Sequence, residues 1–186
     1  MKYEQGKLNE INEVEIINFN THNKYFGINN IENYLEKYLI NYKFKINNFN
    51  SIIDQNNYLR GMYYEVTKGS GRVIRLTKGE IFISLVDMRK RSITFSFARG
   101  IYLKETDFKA IYVPQGVAFG YYTISEKSEV LHYNSNDQKS EILLWNDKNI
   151  SINWPIYEYY PICIFPDMSE EDKFGKNFIN CSYYMY

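Results

Sequence analysis

Features that would point to a secreted, nucleic-acid-binding or membrane protein are scarce in this 186-residue sequence. Its two cysteines, Cys163 and Cys181, are far apart and lack Cys-x-x-Cys spacing. Buried or unreactive thiols explain them better than a disulfide or a metal site. The 22 basic and 22 acidic residues cancel, which leaves no charge excess to attract nucleic acid or a membrane surface.

Long apolar runs are also missing, and the first residues, MKYEQGKLNEINEVEI, carry too many charges for a signal peptide. We therefore expect a cytoplasmic protein with neither a membrane nor a nucleic acid as its partner. Without repeats or low-complexity linkers, this length suits one well-cored domain. We predict a single domain with a core at about residues 44–155, an N-terminal arm at 1–43 and a helical tail at 156–186.

Period-two alternation dominates the middle of the chain. The stretch IFISLVDM puts Ile81, Ile83 and Leu85 on one face, and ITFSFARG alternates in the same way from Ile93. KAIYVPQGVAFGYYTI reads as two strands separated by a turn at Pro114-Gln115-Gly116. Closely spaced strands without helical patterns between them predict an all-β sandwich or barrel.

Helical patterns occur only near the two ends. In NNIENYLEKYLI, apolar residues recur at i, i+3, i+4 and i+7 from Ile31 after an Asn cap, which predicts an amphipathic helix. In PDMSEEDKFGK, Ser169 lies three residues before Asp172, a spacing typical of a capped helix start.

Seven short motifs follow one another between residues 44 and 174: NFN, LRGMYYE, RVIRLTKGEIFISLVDMR, VPQGVAFGY, EVLH, WNDKNISINWP and SEED. In the same order they resemble Q-x-N, L-R-G-L-H-[YF]-Q, K-L-V-R-V-x-x-G-E-[VI]-x-D-x-x-V-D-[LM]-R, I-P-x-G-x-A-H-G-F, E-V-L-Y, W-x-D-x-x-x-x-I-x-W-P and S-x-K-D. These are patterns of the dTDP-4-dehydrorhamnose 3,5-epimerase family. One such match would be weak evidence, whereas collinear matches over most of the chain are strong.

The resemblance implies a cupin-type jelly roll (a double-stranded β-helix) and a homodimer that exchanges N-terminal strands. It also implies a bacterial surface-sugar enzyme that uses no metal and no cofactor. The composition agrees about the metal, because a metal-dependent cupin needs several histidines and a carboxylate around one ion. This chain has only His22, in the polar stretch NTHNK, and His132.

Epimerisation beside a ketone needs a base for the α-proton, an acid on the opposite face and a positive group near the enolate oxygen. The resemblance assigns the base position to Tyr63, its supporting carboxylate to Asp172, the acid position to His132, and the oxyanion positions to Arg72 and Phe119. The family has His, Asp, Tyr, Lys and His there. Tyrosine and histidine have thus changed places across the expected pocket.

Two interpretations of this exchange stay open. In the first, His132 is the base and Tyr63 the donor, so that one proton moves at one carbon in a single epimerisation or a keto isomerisation. In the second, catalysis is lost, and Asp172 only caps its helix. A phenol with a pKa near 10 is about a thousandfold less available than an imidazole as a base at neutral pH, which favours loss of standard 3,5-epimerisation.

The expected binding residues are better preserved than the catalytic ones. The resemblance places Arg60 at the diphosphate and Asn48 and Asn50 near the sugar or phosphates, and Lys24 is a possible substitute for a nucleotide-contacting arginine. A guanidinium suits bidentate phosphate binding. Three hypotheses follow: an isomerase acting on a nucleotide-linked 4-keto-6-deoxyhexose, a non-catalytic sugar-nucleotide or glycan-binding module, and a structural dimer subunit whose cavity is plugged by aromatic rings.

Overall fold

The structure is a computed structural model. It describes residues 11–19, 28–67, 69–135, 140–159, 161–162 and 165–185.

Ten strands in the described residues form two antiparallel sheets. They are β1 (Glu15–Asn18), β2 (Asn48–Gln55), β3 (Leu59–Tyr64), β4 (Arg72–Lys78), β5 (Glu80–Asp87), β6 (Ala98–Lys104), β7 (Lys109–Val113), β8 (Val117–Thr123), β9 (Lys127–Asn134) and β10 (Glu141–Ile142). The first sheet has the order β1-β7-β4-β9-β2, and the second has the order β10-β3-β8-β5-β6. The predicted all-β fold of cupin type is confirmed, and so is the turn between β7 and β8.

Three apolar clusters hold these layers together. The first lies between the sheets and joins Ile74 of β4 to Leu85 of β5 and Phe119 of β8. The second covers the outer face of the second sheet, where the C-terminal region supplies Trp145 and Trp154. Strand β5 is therefore buried on both faces, because its alternate side chains enter different clusters.

The third cluster packs helix α1 (Ile28–Tyr38) on the outer face of the first sheet. Leu35 and Leu39 are fully buried there, whereas Tyr38, the last residue of the predicted apolar stripe, is 46% exposed. The helix is confirmed, but it already includes Asn29 and Asn30, so the expected Asn cap lies inside its first turn. The C-terminal helices are α2 (Ile156–Tyr159) and α3 (Glu170–Lys173), and α3 is capped by Ser169 as predicted. None of the described helices is long and apolar enough to cross a membrane.

The strand expected in ITFSFARG is wrong over its first residues. The chain turns at residues 91–96, and β6 begins only at Ala98. Short polar side chains explain the difference, because they offer the backbone local partners that compete with a sheet ladder. The Thr94 N–H donates to the Ser92 hydroxyl at 3.2 Å, the Thr94 hydroxyl donates to Asp87 at 2.7 Å, and Ile93 is left 91% exposed.

Candidate functional site

A cavity of about 830 Å³ opens between the sheets, a size within the range of roughly 300–1,000 Å³ found for small-molecule sites. Its lining residues come from both sheets, from the residue before β10 and from the region of α3: Asn50, Ile52, Arg60, Tyr63, Arg72, Phe119, His132, Asn134, Ser140, Ile142, Glu170, Glu171 and Phe174. Six of the predicted site residues lie in this lining. Tyr63 and His132 share one cavity, and rings do not plug it.

Phe119 lies at the centre of the predicted catalytic residues and is fully buried. Its ring centroid is 5.8 Å from that of Tyr63 and 5.7 Å from that of His132. The Arg72 guanidinium carbon lies 4.8 Å from the same centroid, a cation–π arrangement. Phe119 therefore forms an apolar floor that separates Tyr63 from His132, where a histidine would have offered a hydrogen bond.

Asp172 reaches β3 from helix α3 and is fully buried. Its carboxylate accepts the Gly61 N–H at 3.2 Å and the Ser169 hydroxyl at 2.7 Å. Burial, and then a hydrogen bond to Asp172, raises the pKa of the Tyr63 phenol above its ordinary value of 10.0. Asp172 therefore takes part in the cap of α3 and also binds the backbone of β3 two residues before Tyr63.

Gly61 allows this contact between β3 and α3. Its φ of +100° favours glycine, and a Cβ there would lie 2.7 Å from the Phe119 carbonyl oxygen and 2.8 Å from the Gly120 Cα. Any larger residue would push β3 away from β8 and would move both Tyr63 and the Gly61 N–H.

His132 is 6% exposed in the middle of β9, opposite Asn50 of β2 and Ile74 of β4. Its buried Nε2 has no hydrogen-bond partner among the described residues. Burial, followed by the charges of Arg72 and Arg60, lowers the pKa of the imidazole from 6.5 to about 3. His132 is therefore neutral at physiological pH, with one ring nitrogen available to a ligand.

This low pKa predicts how His132 responds to acid. In nuclear magnetic resonance titrations, its imidazole signals should stay unchanged from pH 8 to pH 5 and should shift only near pH 3. Between pH 6.5 and about 3, His132 is protonated in the unfolded chain but not in the folded one. The free energy of unfolding should therefore decrease as the pH is lowered, by up to about 1.4 kcal/mol per pH unit. His132→Gln identifies the signal and should remove this part of the pH dependence. A His132 signal with a midpoint near 6.5 would contradict the burial argument.

Arg60 lies on β3 and is paired with a carboxylate from the other sheet. Its Nε and Nη2 donate to the two oxygens of Asp54 on β2, each at 2.7 Å, and the Tyr121 hydroxyl donates to Asp54 at 2.8 Å. The Arg60 side chain is 24% exposed. Arg60 lines the pocket and at the same time forms an ion pair with Asp54 that links the two sheets.

Arg72 begins β4 and is paired with Glu65, which directly follows β3. The Nη2–Oε1 distance is 2.5 Å, and the Arg72 and Glu65 side chains are 12% and 4% exposed. Burial lowers the pKa of Arg72 and raises that of Glu65, against the attraction between them. The second Glu65 oxygen has no hydrogen-bond partner among the described residues.

The predicted polar residues of β2 have different positions. Asn50 lines the cavity, whereas Asn48 lies outside the lining and accepts a hydrogen bond from Asn134 Nδ2 at 3.0 Å. Lys24 and His22 lie outside the described residues.

Several lining residues were not predicted. Asn134 is two residues after His132 and so shares its strand face, a signal that period-two counting would have found. Phe174, at 81% exposure, lies in an irregular segment after α3, where no local pattern indicates a pocket. Among the described residues, no group of three or more His, Cys, Asp and Glu side chains is arranged to hold a metal ion.

Comparison with known proteins agrees with the fold and shows the family. The protein-family model described as dTDP-4-dehydrorhamnose 3,5-epimerase matches residues 8–179. This chain belongs to the dTDP-4-dehydrorhamnose 3,5-epimerase family. A curated dTDP-4-dehydrorhamnose 3,5-epimerase from Shigella flexneri is 31% identical over 132 residues, which are 68% of this chain and 68% of that protein.

Solved structures of epimerases share the architecture. A dTDP-4-dehydrorhamnose 3,5-epimerase from Elizabethkingia anophelis superposes with a TM-score of 0.73 at 22% identity, over 93% of this chain and 95% of that one. A double mutant of ChmJ, a 3′-monoepimerase from Streptomyces bikiniensis, was solved in complex with dTDP. It superposes with a TM-score of 0.74 at 14% identity, over 95% of this chain and 90% of that one. At these identities the likeness shows the shared fold.

Proposed function

We propose that this chain binds a nucleotide-linked 4-keto-6-deoxyhexose of the dTDP-sugar type between its sheets, without the two-centre epimerisation of its family. Membership of that family and a cavity lined by two arginines support the binding half of the proposal. We further propose that the protein is a cytoplasmic homodimer that serves bacterial surface-polysaccharide synthesis without a metal or cofactor.

The observation that carries the proposal is that neither catalytic position holds a group basic enough to take the α-proton near neutral pH. The imidazole of His132 has a pKa of about 3, and the pKa of the Tyr63 phenol is raised by burial and by Asp172. Phe119 offers no polar atom. Epimerisation at two carbons needs a base near neutral pH and a donor on the opposite face. Of these, the pocket offers only the donor, Tyr63.

What the pocket can do is recognise oxygen atoms. The hydroxyl of Tyr63 and the guanidinium groups of Arg60 and Arg72 can donate to a ketone, a hydroxyl or a phosphate, while the neutral His132 Nε2 accepts from a sugar hydroxyl. Phe119 gives the ring of a deoxyhexose an apolar surface. A bound diphosphate near the arginines would partly offset their charge at His132.

A second candidate function is proton transfer at a single carbon by His132. The unpartnered Nε2 in the cavity favours it, because a neutral imidazole can accept a proton once the positive field around it is reduced. Tyr63 would be the donor on the other side of Phe119.

The wild-type chain should therefore show ligand binding without double exchange. A saturating dTDP-hexose should raise its melting temperature by roughly 5–10 °C at 100 times the Kd. Arg60→Gln removes one of the two arginines of the pocket and should reduce this rise in melting temperature. In D₂O, mass spectrometry of a dTDP-4-keto-6-deoxyhexose should show no enzyme-dependent deuterium at either epimerisable carbon.

The outcomes separate the candidates. Deuterium at one carbon, abolished by His132→Ala, would establish the second function. Deuterium at both carbons would refute the loss of double epimerisation. A melting temperature unchanged by dTDP-, UDP- and GDP-hexoses would refute the binding function.

A further inference from the structure

The buried Glu65–Arg72 pair connects the two sheets beside the pocket. Glu65 follows β3 of the second sheet, and Arg72 is the first residue of β4 in the first sheet. Glu65 does not line the cavity, whereas Arg72 does. The carboxylate therefore contacts the guanidinium from behind, on the side away from a ligand.

Three contacts fix the direction of the Arg72 guanidinium. Its Nη2 donates to Glu65 at 2.5 Å and to the Ser140 hydroxyl at 3.4 Å, and the group lies over the Phe119 ring at 4.8 Å. A guanidinium has five N–H donors in a rigid fork. Contacts at Nη2 leave other donors of the fork for a ligand at a defined angle.

Depth distinguishes Arg72 from Arg60, since each arginine is paired with a carboxylate that is only 4% exposed. Arg72 is half as exposed as Arg60, at 12% against 24%. A doubly charged diphosphate beside the deeper Arg72 would lose more hydration than beside Arg60, whereas an uncharged ketone or hydroxyl oxygen loses much less there. The deeper arginine therefore suits the sugar, and the more exposed one suits the phosphates.

Both members of the pair depart from the family pattern. That pattern has Gln where this chain has Glu65 and Lys where it has Arg72. Together the two changes exchange an amide and a primary ammonium for an oriented ion pair.

We propose that Glu65 is a positioning residue for sugar recognition: it aims the Arg72 fork at the uncharged oxygens of the hexose and cancels its charge toward the diphosphate. This inference rests on the proposed binding function. It predicts that Glu65 controls the affinity gained from the hexose and has little influence on the affinity for the nucleoside diphosphate.

The test compares the Kd values of dTDP and dTDP-glucose by calorimetry. Glu65→Gln should raise the Kd of dTDP-glucose by about tenfold, which corresponds to the loss of roughly one charge-assisted hydrogen bond. The Kd of dTDP should change by no more than about twofold. In an Arg72→Gln background, adding Glu65→Gln should change neither Kd further, because Glu65 acts through Arg72. Glu13→Gln removes an equal charge from another Arg–Glu pair, at Arg89 outside this cavity, and serves as the matched control for charge alone.

Three results would overturn the inference while the wild type still binds both ligands. The first is an equal change in the Kd values of dTDP and dTDP-glucose in Glu65→Gln. The second is a Glu65→Gln effect that persists when Arg72 is replaced. The third is an effect of Glu13→Gln as large as that of Glu65→Gln. If Glu65→Gln does not fold, Arg72→Lys gives the same test, since it keeps the charge and loses the fork. A wild type that binds neither ligand overturns the binding function and this inference with it.

Discussion

Tyr63→His should give the pocket a base that works near neutral pH and raise deuterium exchange into a dTDP-4-keto-6-deoxyhexose by about 10²-fold or more. An imidazole has an ordinary pKa near 6.5 against about 10 for a phenol. At position 63 it would lie beside the Asp172 carboxylate, which is fixed by Gly61 and Ser169. That carboxylate would orient the ring and stabilise the imidazolium, and so raise its pKa.

Two control variants separate the base from other effects of the substitution. Tyr63→Phe removes the hydroxyl without adding a base and should show no exchange. Adding Asp172→Asn to Tyr63→His should remove most of the gain. If Tyr63→His binds dTDP-hexoses and still exchanges no deuterium, the missing base is not what prevents the reaction.

Asp87→Ala should lower the free energy of unfolding by about 3–5 kcal/mol, because it leaves a buried arginine without its partner. Asp87 is fully buried at the end of β5. It accepts the Arg89 N–H at 3.0 Å, Arg89 Nε and Nη2 at 2.9 Å each, and the Thr94 hydroxyl at 2.7 Å. The melting temperature should fall by roughly 6–20 °C.

Two other variants in the same network give smaller expected losses of stability, with which the loss in Asp87→Ala can be compared. Thr94→Val removes one of the hydrogen bonds and should cost about 1–2 kcal/mol. Glu13 binds the other end of Arg89 but is 52% exposed, so Glu13→Gln should cost less than about 1 kcal/mol. Urea unfolding followed by the fluorescence of Trp145 and Trp154 gives all three values. A loss in Asp87→Ala no larger than in Glu13→Gln would refute the role of the buried network.

The strands followed from the sequence where the strand itself is mostly apolar and buried, as in β5 and β8. The prediction failed at residues 93–97 because Ser92 and Thr94 form hydrogen bonds with nearby groups and with Asp87. The alternation of apolar and polar residues does not predict such hydrogen bonds. The division into an N-terminal arm, a core and a tail stays a prediction, as does the homodimer.

The pocket was predicted through the motifs, which placed Tyr63, Phe119 and His132 on strands that the fold brings together. Asp54 and Glu65 were not predicted, because their partners Arg60 and Arg72 lie across the gap between the sheets. Pairing between sheets depends on how the layers pack, which no local spacing encodes. The roles of all these residues, and that of Lys24, stay predictions.

The covering of the second sheet by the C-terminal region has a consequence for biosynthesis. The C-terminal residues of the second cluster, such as Leu143, Trp145 and Trp154, follow in the chain the strands on which they pack, so they leave the ribosome after those strands. Until then, Phe82 and Tyr122 belong to an apolar face with nothing against it. A nascent chain that pauses before Trp145 would present this face to chaperones or to other nascent chains.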